Sequence, residues 1–376
     1  MIYFDNAATG GFKPYKSIDS AYNAMKNLNA NPGRSGHKLS NLASELVYLA
    51  RKKVAEFLGT DSPSNIVFTQ NCTHSLNLAI FGLYEKGCNV ITTVTEHNSV
   101  LRPLYELERR GEISLTVIKP TLGGICAKDV KENLSPKTKL VVVSAVSNVT
   151  GQENDVLGIG KLLKGSGIYF VVDGAQAGGH IDFSIDNQLI DALCLAGHKG
   201  LLSIPGVGVL ALRKGIFPRP LTFGGTGFDT FSKDMPETYP EKLEAGTLNL
   251  PAICSLRAGV EELLGNVNYV ANQLLYLTEY LINKLSLMPK IKLYSIPNRY
   301  GIVSFEHTDI PSQALADLLS DKYDIAVRGG FHCAPLIHKY LKTEKLGLLR
   351  VSFSPHNTRR EINALLTALE EISSMV

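Results

Sequence analysis

Two stretches decide how this chain folds: Tyr169-Phe170-Val171-Val172-Asp173-Gly174-Ala175-Gln176 and, about one βα unit later, Ala192-Leu193-Cys194-Leu195-Ala196-Gly197-His198-Lys199-Gly200. Each is an apolar run of strand length that ends in a polar residue beside small ones. Strands apolar on both faces belong in a sheet covered on both sides. Working outward, similar runs lie at 66–69, 90–94, 115–118, 140–145 and 208–212. Helical patterns lie between several of them, at about 73–84, 98–110 and 155–165. Upstream, Leu39, Leu42, Ala43, Leu46, Leu49, Ala50, Val54 and Phe57 form a helical stripe over 39–58, stopped by Gly59. The alternation predicts an α/β fold built on a mostly parallel seven-stranded sheet. A long helical connector is expected from near Pro251 to about Leu287. A smaller α+β region follows, with strands near 291–294, 301–306, 325–328 and 349–353 and helices near 311–321 and 358–373.

The 376 residues exceed the usual size of one hydrophobic core, so two domains are expected. Hydrophobic residues make up 44% and charged residues 19%, as in a soluble globular protein. The net charge of +3 is too small and too scattered to argue for nucleic acid or a membrane surface. The six cysteines, at 72, 88, 126, 194, 254 and 333, form no C-x-x-C pair and no zinc spacing, so no metal is expected. A reducing, cytoplasmic location fits this usage. Met1–Asp5 starts no basic-then-apolar leader, and no apolar stretch has the length to cross a bilayer.

Ligands of open α/β sheets bind at the carboxyl ends of strands. Asp173 stands at such an end, placed to pair with the ring nitrogen of pyridoxal 5'-phosphate (PLP) and keep it protonated. Read alone, it is a turn former or helix cap. Lys199 ends the next apolar strand, where a desolvated amine becomes a nucleophile able to carry the cofactor. Read alone, it is a surface lysine. Asn71-Cys72-Thr73-His74-Ser75 opens a helix and offers an anion site, or simply an N-cap. His97, in Thr95-Glu96-His97-Asn98 after another strand, could stack on a pyridine ring.

These elements fall in order at successive strand ends, and there the chain resembles the class V aminotransferase family, in its cysteine desulfurase/selenocysteine lyase branch. The matching segments include Tyr3–Thr9, Asn31–His37, Thr95–His97, Ser147–Gly151, Asp173–Gln176, Gly197–Lys199, Glu244–Asn249, Arg328–Pro335 and Leu349–Ser352. The resemblance implies the PLP-dependent transferase fold type I, with a large cofactor domain at 15–255. Residues 1–14 with 256–376 would form the small domain. It implies that Lys199 carries the cofactor, Asp173 pairs with the ring nitrogen, Gln176 bonds the phenolate oxygen and His97 stacks on the ring. Thr73 and His198 would contact the phosphate, Asn148 would lie near substrate and cofactor, and Thr247 would reach the phosphate of a partner subunit in a homodimer. Three departures stand out. Cys72 replaces a usual threonine, His74 a usual glutamate and Ala196 a usual serine. One phosphate hydroxyl is thereby lost, His74 is a candidate compensating donor, and weaker cofactor retention is the expectation.

Cys333, in Phe331-His332-Cys333-Ala334-Pro335, precedes a predicted helix. A cysteine near a helix N-terminus carries more thiolate. It would attack the sulfur of cofactor-bound L-cysteine and release alanine; with L-selenocysteine, the alternative substrate, the selenolate leaves more easily and the cysteine need not take part. His332 would assist by charge or proton transfer. The fork of Arg350 suits an amino-acid carboxylate, and Arg34 is a further candidate for the substrate pocket. The short segment from Arg328 to Cys333 implies an acceptor protein that docks to collect the sulfur. Selenocysteine lyase, a conventional class V aminotransferase or carbon–sulfur lyase, and a non-catalytic paralogue stay open as alternatives.

Overall fold

The two deciding runs form neighbouring parallel strands. In a computed structural model, which describes residues 1–121 and 123–375, Val171 pairs with Ala192 and Asp173 with Cys194. In chain order the first elements are β1 (Ile2–Tyr3), α1 (Tyr15–Asn27), α2 (Lys38–Phe57), β2 (Ile66–Thr69), α3 (Cys72–Leu83), β3 (Cys88–Thr93), α4 (Asn98–Arg109), β4 (Ile113–Ile118) and α5 (Ala127–Lys131). Next come β5 (Thr138–Ser144), α6 (Val156–Leu163), β6 (Tyr169–Asp173), α7 (Ile185–Gln188), β7 (Ala192–Ala196), β8 (Gly208–Leu212), α8 (Leu250–Leu263) and α9 (Val267–Leu285). The chain finishes with β9 (Ile291–Leu293), β10 (Ile302–His307), α10 (Ser312–Tyr323), β11 (Ile325–Ala326), α11 (Pro335–Leu341), β12 (Leu349–Ser352) and α12 (Arg359–Ser374).

The large sheet has seven strands in the order β2-β8-β7-β6-β5-β3-β4. β8 runs antiparallel to both neighbours, and the other adjacent pairs are parallel. The expected sheet is therefore the observed one. Side chains alternate across a strand, so β5 sends Val141 and Val143 into one core and Leu140 and Val142 into another. That two-sided burial is why these runs are apolar without alternation. The parallel strands β2, β7, β6, β5 and β3 put their carboxyl ends on one edge.

A three-stranded antiparallel sheet, β12-β10-β9, forms the second layer system. The first residues of the chain lie beside it: β1 pairs with β11 in a separate two-stranded sheet, and Ser352 N–H donates to Phe4 O at 2.6 Å. Among the described residues no helix is long and apolar enough to cross a membrane.

Two expectations change. The single connector from 251 to 287 is two helices, because Gly265 takes φ +78° between α8 and α9. A left-handed residue ends a helix, and glycine adopts it without a Cβ clash. α8 packs on α1 and α2, whereas α9 packs on α12, β9 and β10. The break thus coincides with the change of packing partner. The second change is α1, which has no counterpart among the sequence expectations. Its buried stripe is Ser17, Ala21 and Ala24, while Tyr15, Ile18, Tyr22 and Met25 face outward.

A buried ion pair anchors the 244–249 loop to the sheet. Arg51 and Glu244 are 8% and 5% exposed in their side chains. Arg51 Nη1 donates to Glu244 Oε1 at 2.8 Å and also to Ile66 O. Phe68 N–H donates to the same carboxylate at 2.5 Å. Arg51→Met strands the Glu244 carboxylate without its cation, a change expected to cost about 3–5 kcal/mol. A lower urea midpoint checks this, and adding Glu244→Gln should recover much of the loss. An unchanged midpoint in the single variant would refute it.

Candidate active site

The carboxyl edge of the sheet carries the candidate residues, each on the turn or helix start after its own strand. Thr73 follows β2, His97 follows β3, Asn148 follows β5, Gln176 follows β6, and His198 and Lys199 follow β7. Asp173 closes β6 itself. With Arg350 on β12, all of these line one cavity of about 230 Å³. Close backbone approach fixes the lysine turn. A Cβ on Gly200 would sit 2.1 Å from Gly178 O, so no larger residue fits after Lys199.

Asp173 is buried, and Ala175 N–H donates to its Oδ1 at 2.9 Å. Burial raises its carboxyl pKa, with Lys199 opposing. The same burial lowers the Lys199 pKa, and Arg350 and Arg328 lower it further while Asp173 and Cys72 resist. This favours the neutral, nucleophilic amine. His97 caps α4: Ser99 N–H donates to its Nδ1 at 3.0 Å, so Nε2 carries the ring proton. Burial first, then Lys199, Arg328 and Arg350, pull the His97 pKa to about 4, and the ring is a neutral flat surface.

His198 is likewise drawn to about 4, by burial and then Lys199 and Lys13. Its Nδ1 lies 3.0 Å from Thr9 Oγ1. Gln176 Nε2 donates to Ala7 O at 3.0 Å. Thr73 Oγ1 is 2.8 Å from Ser99 Oγ. Beneath His97, Glu96 is fully buried. Thr93 Oγ1 donates to it at 2.6 Å, Ser144 N–H at 3.0 Å and Ser144 Oγ at 2.5 Å. Burial still lifts its carboxyl to about 7. These bonds tie the turn after β3 to the end of β5.

The opposite wall comes from the smaller sheet. Arg350 is 1% exposed. Its Nη1 donates to Asn148 O at 3.0 Å and its Nη2 to Asp5 Oδ1 at 2.9 Å. Its Nε has no partner, and neither has Asn148 Oδ1. The cavity thus holds one amine, two guanidiniums and one carboxylate, a set suited to a ligand with more than one anionic group.

Cys333 lies exposed beside this cavity. Its Sγ is 3.9 Å from Nη2 of Arg328, which lines the cavity. His332 and Cys333 both have positive φ, 49° and 57°, a backbone that side chains other than glycine disfavour. Four hydrogen bonds hold it. Asn148 Nδ2 donates to His332 O at 2.8 Å and Asn98 N–H to Cys333 O at 2.7 Å. Ala334 N–H donates to Phe331 O at 2.9 Å, and His332 Nε2 to Leu348 O at 3.0 Å. Help from a charged His332 is corrected here: burial and Arg350 push its pKa well below normal. It is neutral, and its Nδ1 is buried without a partner among the described residues.

Three candidates lie elsewhere. His74 receives Gln70 N–H at 3.5 Å and lines a separate cavity of about 340 Å³, together with Thr247. Within one chain it therefore offers no compensating donor to the first cavity. Thr247 Oγ1 accepts from Asn31 Nδ2 at 3.2 Å. Arg34 Nη2 is spent on Gly225 O at 2.5 Å and Gly246 O at 3.2 Å. The sequence reading assigned no role to Asp5, Thr9 or Arg328. Asp5 and Arg328 both sit inside the segments that carry the family resemblance, which is the signal that could have found them. Among the described residues no grouping of His, Cys, Asp or Glu suits a metal ion.

The family model "Aminotransferase class-V" matches residues 2–365. A protein of Pyrococcus abyssi named "Probable cysteine desulfurase" is 33% identical, over 99% of this chain and 94% of its own length. One of the same name from Methanothermobacter thermautotrophicus is 32% identical, over 100% and 95%. The solved apo structure of a cysteine desulfurase from Thermococcus onnurineus superposes with a TM-score of 0.90 at 32% identity, covering 100% of this chain and 95% of that one.

Proposed function

Because this chain belongs to the class-V aminotransferase family, we propose that it is a PLP-dependent cysteine desulfurase that converts L-cysteine to L-alanine and takes the sulfur onto Cys333. One observation carries the reading. Lys199 faces Asp173 inside the cavity, and Cys333 stands at Arg328 on that cavity's border. A transaminase needs the first pair and has no use for the second.

The residues suit the cofactor. Asp173 Oδ2 has no protein partner and is not among the sealed-off polar atoms, so it opens on the cavity. When bound, PLP supplies an electron sink for the pair released at the substrate carbon. Lys199 would hold it through the amine that burial keeps nucleophilic, and would then move protons between substrate carbon and nitrogen. Asp173 would keep the ring nitrogen protonated, His97 would cover one face, and Gln176 would turn its amide to the ring oxygen. Thr73 and His198 would hold the phosphate. Asn148 would lie between cofactor and substrate, beside the carboxylate clamp Arg350. Thr247, with His74 beside it, faces a separate cavity and is assigned to a partner subunit's phosphate in a homodimer.

The Cys333 thiolate forms an S–S bond to the substrate sulfur. The carbon–sulfur bond breaks, its electron pair stays with carbon, and a proton then completes alanine. Cys333 is exposed, so its thiol proton passes to solvent. Strong anchoring of the cysteine loop leaves it little reach, so an acceptor protein would dock to collect the sulfur, in a reducing cytoplasm. The division into domains at 15–255 and 1–14 plus 256–376 belongs to the same reading.

The test is the absorbance of the purified protein, followed by L-cysteine with assays for alanine and sulfide. A yellow cofactor band with alanine formation is expected. A band that converts to the pyridoxamine form with α-keto acid would favour the aminotransferase, and no band would defeat the reading. Full turnover with a small thiol, unchanged by any acceptor, would count against the docking partner.

A further inference from the structure

Cys72 stands where the sequence comparison counts a lost phosphate hydroxyl, yet its side chain points elsewhere. It is the first residue of α3, is 8% exposed, and lines the cavity. Its Sγ lies 3.6 Å from Asp173 Oδ1, within reach of an S–H···O bond. That same oxygen accepts Ala175 N–H at 2.9 Å. The chain's two donors therefore converge on Oδ1, one from helix α3 and one from the turn after β6. Oδ2 is left free toward the cavity.

We propose that Cys72 is a positioning residue for Asp173: its S–H sets the rotation of the carboxylate so that Oδ2 is the oxygen presented to the cofactor's ring nitrogen. The proposal rests on the PLP reading above. The terminal torsion of aspartate is broad and roughly two-fold. A single backbone donor fixes one oxygen but lets the carboxylate plane swing about it. A second donor from another element removes that freedom.

A thiol suits the task. Desolvation, with Asp173 and Cys194 nearby, holds its pKa well above the usual thiol range, so it stays protonated and can only donate to the carboxylate. The other ionisable groups facing Asp173 are Lys199 after β7, Cys194 on β7 and Glu96 after β3. Among Asp173's own donors, only Cys72 comes from outside the β6 turn. Thr73, by contrast, turns its hydroxyl to Ser99 at the mouth of the helix. Adjacent residues of α3 thus serve two ends of one ligand, the first its ring and the second its phosphate.

The experiment compares Cys72→Ala, Cys72→Val and Cys72→Ser with Thr73→Ala in the cofactor-loaded protein. Two quantities are read: the pH midpoint of the bound cofactor's colour change, and the affinity of stripped protein for PLP by fluorescence titration. A mis-aimed carboxylate holds the ring proton less well, and that positive charge normally lowers the midpoint. Cys72→Ala and Cys72→Val should therefore raise it by about half to one pH unit, the size of one modest hydrogen bond to a charged group. Cys72→Ser restores a donor and should return the midpoint toward wild type. Thr73→Ala should weaken PLP binding with the midpoint in place. If Cys72→Ala behaves like Thr73→Ala, Cys72 belongs to the phosphate loop and the proposal is wrong. If Cys72→Val keeps the wild-type midpoint, packing rather than the S–H is responsible, and the proposal is again wrong. The valine and serine variants keep the question open to measurement should alanine not fold. A wild-type protein with no cofactor band would remove the PLP reading itself, and this proposal with it.

Discussion

Cys333→Ala is expected to lower alanine formation from L-cysteine by roughly three orders of magnitude or more, with the cofactor band intact. The loss is large because no other thiol can take over. Cys72 does line the cavity, but burial and Asp173 hold its thiol protonated. Cys194 is fully buried and held the same way. The variant should fold, because the bonds that hold the left-handed turn use the His332 and Cys333 carbonyls and the Ala334 N–H, all of which remain. The same variant sorts the two chalcogens. A selenolate leaves more readily than a thiolate, so L-selenocysteine turnover should survive where L-cysteine turnover does not. Alanine production from L-cysteine at the wild-type rate would remove Cys333 from the mechanism.

The second large effect is expected at Arg350. Its guanidinium is held from two sides, by Asn148 O and Asp5, and its Nε remains without a partner. A side chain so fixed meets a substrate carboxylate without first being ordered, which is where binding energy is otherwise lost. Arg350→Ala should lower kcat/KM about 10²- to 10³-fold, most of it in KM, as expected for one partner of a desolvated charge pair. Arg350→Lys should recover little, because a point charge cannot keep Asn148, Asp5 and a carboxylate at once. A thermal melt separates this from damage to the Asp5 contact. An unchanged KM in Arg350→Ala would mean that the carboxylate binds elsewhere, with Arg328 as the next group to test.

The sheet was legible because its strands are buried on both faces. Tyr169–Asp173, Ala192–Ala196 and Gly208–Leu212 could be bounded to the residue, since an apolar run ends where the edge meets solvent or ligand. α1 was not legible for the opposite reason. Its core contact is made by small residues, and its large apolar ones face outward, so hydrophobic periodicity gave no stripe to read. The pause at Gly265 was hidden within an otherwise continuous helical pattern. Order along the sheet edge placed Lys199, Asp173, His97 and Thr73 together, because each ends or follows its own strand, whereas Asn148 came from the family resemblance alone. No such rule reaches Thr247 or Arg34, whose loops are positioned by tertiary contacts, and His74 turns from the same helix start to another cavity. The direction of the Cys72 thiol and the neutrality of His332 depend on rotamer and burial, which residue type alone does not encode.

Ala7 and Ala8 line the cavity, and the segment that carries them is fastened to β12, far along the chain. Phe4 receives the Ser352 N–H, Ala7 N–H donates to Ser352 Oγ at 2.9 Å, and Arg350 reaches back to Asp5. Asp5 in this segment and the Arg350 that holds it lie 345 positions apart in the chain. Pairings of such sequence separation are slow to form and come late in folding. The cavity therefore cannot close until β12 has met the opening segment. A chain ending before residue 349 would keep Arg328 but lack Arg350 and Ser352, leaving the opening segment without its anchors.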